Sequence, residues 1–97
     1  MSNFFKAILL SHNTAPVEIR EIFALSKEES RILLNSIKEN TEIREALIIS
    51  TCNRTELYYS STDDLSDPLL DLLCQLKGSS LNIAKENFEL LNKQEDA

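Results

Sequence analysis

The sequence predicts an α+β fold of the ferredoxin-like, split-βαβ kind: elements in the order βαββαβ, a four-stranded antiparallel sheet, and helices on one face. Three observations predict it. Apolar, strand-like runs recur at residues 4–10, 46–49, 55–59 and 87–93. Helical patterns separate the first run from the second and the third from the fourth, whereas only the short polar turn Cys52-Asn53-Arg54 separates the second from the third. Right-handed crossovers then place the first two strands parallel, with the third inserted between them and antiparallel to both.

The first run ends in Ile8, Leu9 and Leu10 and reads as a buried strand. Residues 11–16 are polar and close on Pro16, whose fixed φ suits the first turn of a helix. Glu18 and Glu21 follow, where the positive end of a helix favours them. Ser26 opens a second helical stretch, with Glu29 at capping-box spacing. Leu33, Leu34 and Ile37 make its apolar stripe, and Asn40-Thr41 ends it. After a link at 41–45, the second strand runs from Ala46 to Ile49. The third is rich in β-formers, with Leu57 and Tyr59 on one face.

Asp63, Asp64 and Asp67 belong to a solvated loop and helix start. Leu69, Leu72, Leu73 and Leu76 then fall on one side of a helix, and Gly78 stops it. The last strand is predicted within 87–93, with Phe88 and Leu90 on one face and Leu91 on the other, followed by a polar tail at 94–97.

Length and composition narrow the function. Ninety-seven residues suit one small domain, and 42% hydrophobic content argues against disorder over most of it. The net charge is -6, and the ten Lys and Arg residues form no basic run, which weighs against this segment being a main grip on nucleic acid. A single glycine builds neither a dinucleotide fingerprint nor a phosphate loop. The two cysteines, Cys52 and Cys74, form no CxxC pair or zinc spacing, and no metal site is expected. With no secretory signal in the first residues and no apolar stretch of spanning length, a reduced, cytoplasmic setting is expected.

The predicted topology gathers the chemistry. The end of strand one, the start of the first helix, the end of strand two and the start of strand three share one edge of the sheet, bringing His12, Thr14, Cys52 and Arg54 together. Cys52 is the sharpest candidate, because a thiolate is a strong nucleophile and cations or helix N-termini favour it. Thr51 and Asn53 add hydrogen-bonding groups, and Arg54 offers a fork for a carboxylate. Simpler readings exist for each: a small plug at a strand end for Cys52, an ion pair with Glu56 for Arg54, and a turn histidine for His12. Thr14 reads as a helix cap and Cys74 as packing.

Two segments carry a family resemblance. LSHNTAPVEIRE (Leu10–Glu21) resembles the SHxTAPVxxRE motif of glutamyl-tRNA reductases, and STCNRTELY (Ser50–Tyr58) resembles their catalytic-cysteine block. The resemblance is close over residues 7–60 and extends beyond them only in element order. It implies an NADPH-dependent reduction of glutamyl-tRNA to glutamate-1-semialdehyde, an early step of tetrapyrrole (porphyrin) biosynthesis. Cys52 would be the nucleophile that forms a glutamyl thioester. Thr51, Cys52, Asn53 and Arg54 would bind substrate, with His12 as a neighbour of the pocket.

The resemblance further implies glutamyl-tRNA as substrate, a homodimer, and glutamate-1-semialdehyde aminomutase as a partner. Family members are several hundred residues long, so this chain is expected to be the front part of the catalytic domain, without the NADPH-binding and dimerisation domains. Such a chain is not expected to complete the reduction by itself. It is also expected to expose an apolar patch where the rest of the domain would pack. Two other readings compete: a non-catalytic ferredoxin-like module that binds a ligand or protein, and a free-standing cysteine hydrolase, which would lean on His12 as its base.

Overall fold

The computed structural model describes residues 4–94, so residues 1–3 and all but the first residue of the predicted polar tail lie outside it. Eight elements follow one another: β1 (Phe4–Ser11), α1 (Val17–Phe23), α2 (Lys27–Asn40), β2 (Ala46–Ser50), β3 (Arg54–Ser60), α3 (Ser66–Lys77), α4 (Leu81–Asn87) and β4 (Glu89–Gln94). The sheet order is β2-β3-β1-β4, and each neighbouring pair is antiparallel. This is the predicted split-βαβ sheet, with two helices in each crossover.

Residue alternation sorts the sheet into two faces. Ile8 and Leu10 of β1, Leu57 and Tyr59 of β3, and the half-buried Ile48 of β2 point toward the helices. They meet Phe23 of α1, Leu33 and Ile37 of α2, and Leu69, Leu70 and Leu73 of α3 in one core. Burial of this apolar surface is the main favourable term in the fold. Tyr59 is fully packed yet keeps its hydroxyl satisfied by accepting the Leu65 N–H at 3.1 Å.

The opposite face carries the expected apolar patch. Phe5, Leu47, Ile49 and Leu91 are exposed there, around the half-buried Tyr58. A shallow concavity of about 520 Å³ opens among Phe5, Leu47, Ile49 and Tyr58. The α3 helix is not part of this patch. It packs against α2 and α4, and this widens its buried arc to include Leu70 and Cys74 beyond the predicted stripe.

Several local expectations are refined. Pro16 stands at the N-cap of α1 with extended ψ, one residue before the helix proper. The Ser26–Glu29 capping box forms in both directions, at 3.1 and 2.9 Å. Gly78 ends α3 in the left-handed region, φ 68°, where a side chain would be strained. The α4 helix was not predicted. It begins at the Ser80 cap and places Phe88 at its C-cap, so Phe88 is buried as a helix end and not as a strand residue. Leu90 is on the helix-side face, opposite Ile8, but stays 47% exposed because β4 is an edge strand.

One charged clamp ties the two crossovers together. Lys77, at the end of α3, donates to the Ala24 carbonyl at 2.8 Å and to Glu29 at 3.0 and 3.1 Å. The Ser26 amide and then Lys77 hold the Glu29 carboxyl below its ordinary 4.5. Because the folded value is depressed, this contribution is complete above about pH 4.5 and is lost as pH falls through the folded value. Asp64, held low chiefly by Ser66, acts in the same direction. Urea midpoints measured against pH should therefore fall on acidification below about 4.5, and Glu29→Gln should flatten part of that slope. An unchanged slope would remove Glu29 from this account.

Candidate functional site

The β2–β3 connection is built for a tight, exposed turn. Thr51 N–H donates to the Arg54 carbonyl at 2.8 Å, closing the turn across Cys52 and Asn53. Asn53 N–H donates to Thr51 Oγ1 at 3.2 Å, so the threonine hydroxyl stabilises the same turn. Thr51, Cys52, Asn53 and Arg54 are all exposed, and Cys52 is a free thiol. The second cysteine contrasts with it. Cys74 is buried, donates to the Ser80 carbonyl at 3.4 Å, and has its thiol pushed up by burial and then by Asp71.

The strand register brings the predicted edge together. Ser11 pairs with Arg54, and Ser50 with Thr55, so the turn after β1 lies beside the Cys52 turn. That first turn is also closed by its own side chains. Ser11 N–H donates to Thr14 Oγ1 at 3.0 Å, Thr14 Oγ1 donates to the Ser11 carbonyl at 3.2 Å, and Asn13 N–H donates to Ser11 Oγ at 3.2 Å. Thr14 thus closes the turn onto Ser11, and α1 has no side-chain cap. His12 sits exposed at this turn, on the Cys52 edge.

Arg54 begins β3 on the face turned away from the helices, because Thr55, Leu57 and Tyr59 take the other face. Its Nη1 donates to Glu56 Oε2 at 3.3 Å, the ion pair that sequence reading held as the simpler alternative. The Tyr58 hydroxyl donates to Glu56 Oε1 at 2.9 Å. Glu56 is only 14% exposed and is held from both sides, whereas Arg54 is 52% exposed. The Glu56 hydrogen bond, followed by burial, raises the Tyr58 phenol above its ordinary value. Glu56 and Tyr58 were missed as site residues. The signal was their spacing: Arg54, Glu56 and Tyr58 alternate along one strand and so share one face.

Cys52 stands exposed on its turn. The apolar concavity lies toward the Phe5 end of the sheet, away from the turn. Among the described residues no cluster of three His, Cys, Asp or Glu side chains could hold a metal ion. A dinucleotide does not fit these residues. The one glycine caps α3, and neighbouring strands are antiparallel, so no glycine-rich turn joins adjacent parallel strands. No helix among the described residues is long and apolar enough to cross a membrane.

The chain is similar to known proteins over most of its length. Residues 8–97 match the family model described as glutamyl-tRNAGlu reductase, N-terminal domain. The chain belongs to this family. The glutamyl-tRNA reductase of Cytophaga hutchinsonii is 46% identical over 98 residues, covering 100% of this chain and 23% of the relative. That of Alcanivorax borkumensis is 40% identical over 82 residues, covering 84% of this chain and 18% of the relative. The Aquifex aeolicus enzyme is 33% identical over 88 residues, 91% of this chain and 21% of its own length. The chain thus spans about a fifth of the length of these curated relatives. Both sequence motifs fall inside the family match, and the structure sets them side by side at one edge of the sheet.

Proposed function

We propose that this chain is the acyl-accepting portion of a glutamyl-tRNA reductase, with Cys52 as its nucleophile. The observation that carries the reading is an exposed, free Cys52 on a closed turn, in a chain that belongs to the reductase N-terminal domain family. In the step assigned to it, the Cys52 thiolate attacks the carbonyl carbon of the aminoacyl ester. A carbon–sulfur bond forms, the ester carbon–oxygen bond breaks, and the departing ribose oxygen of the tRNA takes a proton from water. An ester is already activated, so the step needs a thiolate more than a strong acid.

Arg54 suits the carboxylate of the glutamyl group. It is half exposed, and Glu56, itself held by Tyr58, steadies the guanidinium from one side. Thr51 and Asn53 flank the sulfur in sequence and are exposed beside it. His12 is a neighbour of this edge and is given no chemical role. The NADPH-dependent reduction, the dimer contact and most of the tRNA grip belong in this reading to residues other than these, in keeping with the single glycine and the net charge of -6. A cytoplasmic setting goes with a tRNA substrate.

The test is to trap the acyl group. Full-length protein carrying this segment, incubated without NADPH with glutamyl-tRNA labelled in the glutamate, should retain label in a hydroxylamine-sensitive bond. Peptide mass spectrometry should place it on Cys52, and Cys74→Ser should leave the yield unchanged. Label on another residue, or none, would end the assignment.

A further inference from the structure

The Cys52 turn is fastened to the rest of the domain by two hydroxyls at its base. Ser50 is the last residue of β2, Thr55 is its register partner on β3, and the turn 51–54 lies between them. Their hydroxyl oxygens are 3.1 Å apart. Each also reaches the α1–α2 connection: Leu25 N–H donates to Ser50 Oγ at 2.9 Å, and Thr55 Oγ1 donates to the Phe23 carbonyl at 3.2 Å. A hydroxyl has one proton to give. Thr55 gives its proton to a carbonyl, which cannot donate in return, so Ser50 must donate to Thr55. The bonds therefore run in one direction, from Leu25 N–H through Ser50 and Thr55 to the Phe23 carbonyl.

The connection that receives them is itself fixed. Three consecutive residues are held: Phe23 by Thr55, Ala24 by Lys77, and Leu25 by Ser50. Thr55 is 3% exposed, so its bond is shielded from water, and breaking it leaves a buried carbonyl unpaired. By contrast, the turn's own bonds, from Thr51 to Arg54 and from Asn53 to Thr51, are local and lie among exposed residues. The base of the turn is anchored and its tip is not.

We propose that Ser50 and Thr55 are positioning residues for Cys52, fixing its turn against the α1–α2 connection through a directed pair of hydroxyls. The inference rests on the reading of Cys52 as nucleophile. Neither residue touches substrate in this account. They act by holding the strand ends from which the turn springs, so that the thiol keeps one place relative to Arg54 and to the Ser11–Thr14 turn. A purely structural role, satisfying the end of α1, would predict only a loss of global stability.

Two readouts in this 97-residue chain separate these roles. The first is amide hydrogen exchange of Thr51, whose N–H closes the turn, compared with amides of the central strand β1. The second is the rate of Cys52 alkylation by iodoacetamide at a fixed pH, with buried Cys74 as the internal reference. Thr55→Val and Ser50→Ala should each raise Thr51 exchange roughly tenfold beyond any change in β1. They should also bring the Cys52 alkylation rate closer to that of a short unstructured cysteine peptide. Thr55→Ser, which keeps the hydroxyl, should restore both.

Exchange at Thr51 that rises only in step with β1, or a Cys52 alkylation rate identical to wild type, would overturn the proposal. If Thr55→Val does not fold, the half-buried Ser50→Ala gives the same decision. A wild-type protein that forms no glutamyl thioester would remove the nucleophile reading alone, because amide exchange reads the turn whether or not Cys52 reacts.

Discussion

Replacing Phe23 by alanine is expected to destabilise the domain by about 3–5 kcal/mol. Phe23 is fully buried at the end of α1. Its ring meets that of Phe88 edge to face, with centroids 5.2 Å apart and planes at 81°. Phe88 caps α4, so this one contact joins the first crossover to the second above the sheet. Truncation leaves a cavity that the surrounding helices cannot close without moving both crossovers. It also loosens the residue whose carbonyl receives Thr55. A domain of this size has roughly 5–15 kcal/mol in total, so near the lower end of that range the variant would keep only about 0–2 kcal/mol.

Urea unfolding followed by far-UV circular dichroism measures the loss, and Val17→Ala in the same helix is the control. Val17 is exposed, and its truncation should change stability by less than about 0.5 kcal/mol. If Phe23→Ala and Val17→Ala gave equal midpoints, the ring would not be the joint described. Phe88→Ala should cost a similar amount. The double variant should fall short of the sum, with a coupling of about 0.5–1.5 kcal/mol from the ring contact.

The sheet order was legible in the sequence because few arrangements remain once four apolar runs and two crossovers are placed. The edge that gathers Cys52, Arg54 and the Ser11–Thr14 turn followed from that order alone, and the Ser11–Arg54 register agrees with it. The α4 helix was illegible for a physical reason: Ala84 is its one fully buried residue, too weak a stripe to register as a period. Leu90 lies on the face opposite to that of Leu91, as alternation implied, but stays exposed, because alternation gives a residue's face and not whether a helix covers it.

The continuous runs of β1 and β2 carry a further lesson. Uninterrupted apolar sequence is the mark of a strand buried on both faces. The described residues cover only one, and Phe5, Leu47 and Ile49 account for the apolar positions left over. Tyr58 escaped notice, and Glu56 was read only as an ion-pair partner of Arg54, because nothing in their identity separates a strand-surface ion pair from a steadied guanidinium. Only the side-chain geometry, with Glu56 held from both sides, makes that distinction.

In full-length protein carrying this segment, Cys52→Ser should lower glutamyl-tRNA reduction by at least ~1000-fold, the effect expected when a covalent step is removed. Serine keeps the size and the hydrogen-bonding capacity of the turn, and Cys52 makes no packing contribution because it is exposed. Stability should therefore stay within about 0.5 kcal/mol of wild type, which separates a chemical loss from a folding one. Arg54 tests the other half of the site. Arg54→Lys keeps the charge but loses the fork, so a carboxylate held in two-pronged fashion should bind more weakly. KM should rise for Arg54→Lys, and Arg54→Ala should show the larger change. Parallel loss in Cys74→Ser would be incompatible with this picture, since that thiol is buried between α3 and the Ser80 carbonyl, far in sequence from the turn. A Cys52→Ser enzyme that kept its rate would instead mean that hydride reaches the ester directly, with the exposed thiol a bystander on a well-made turn.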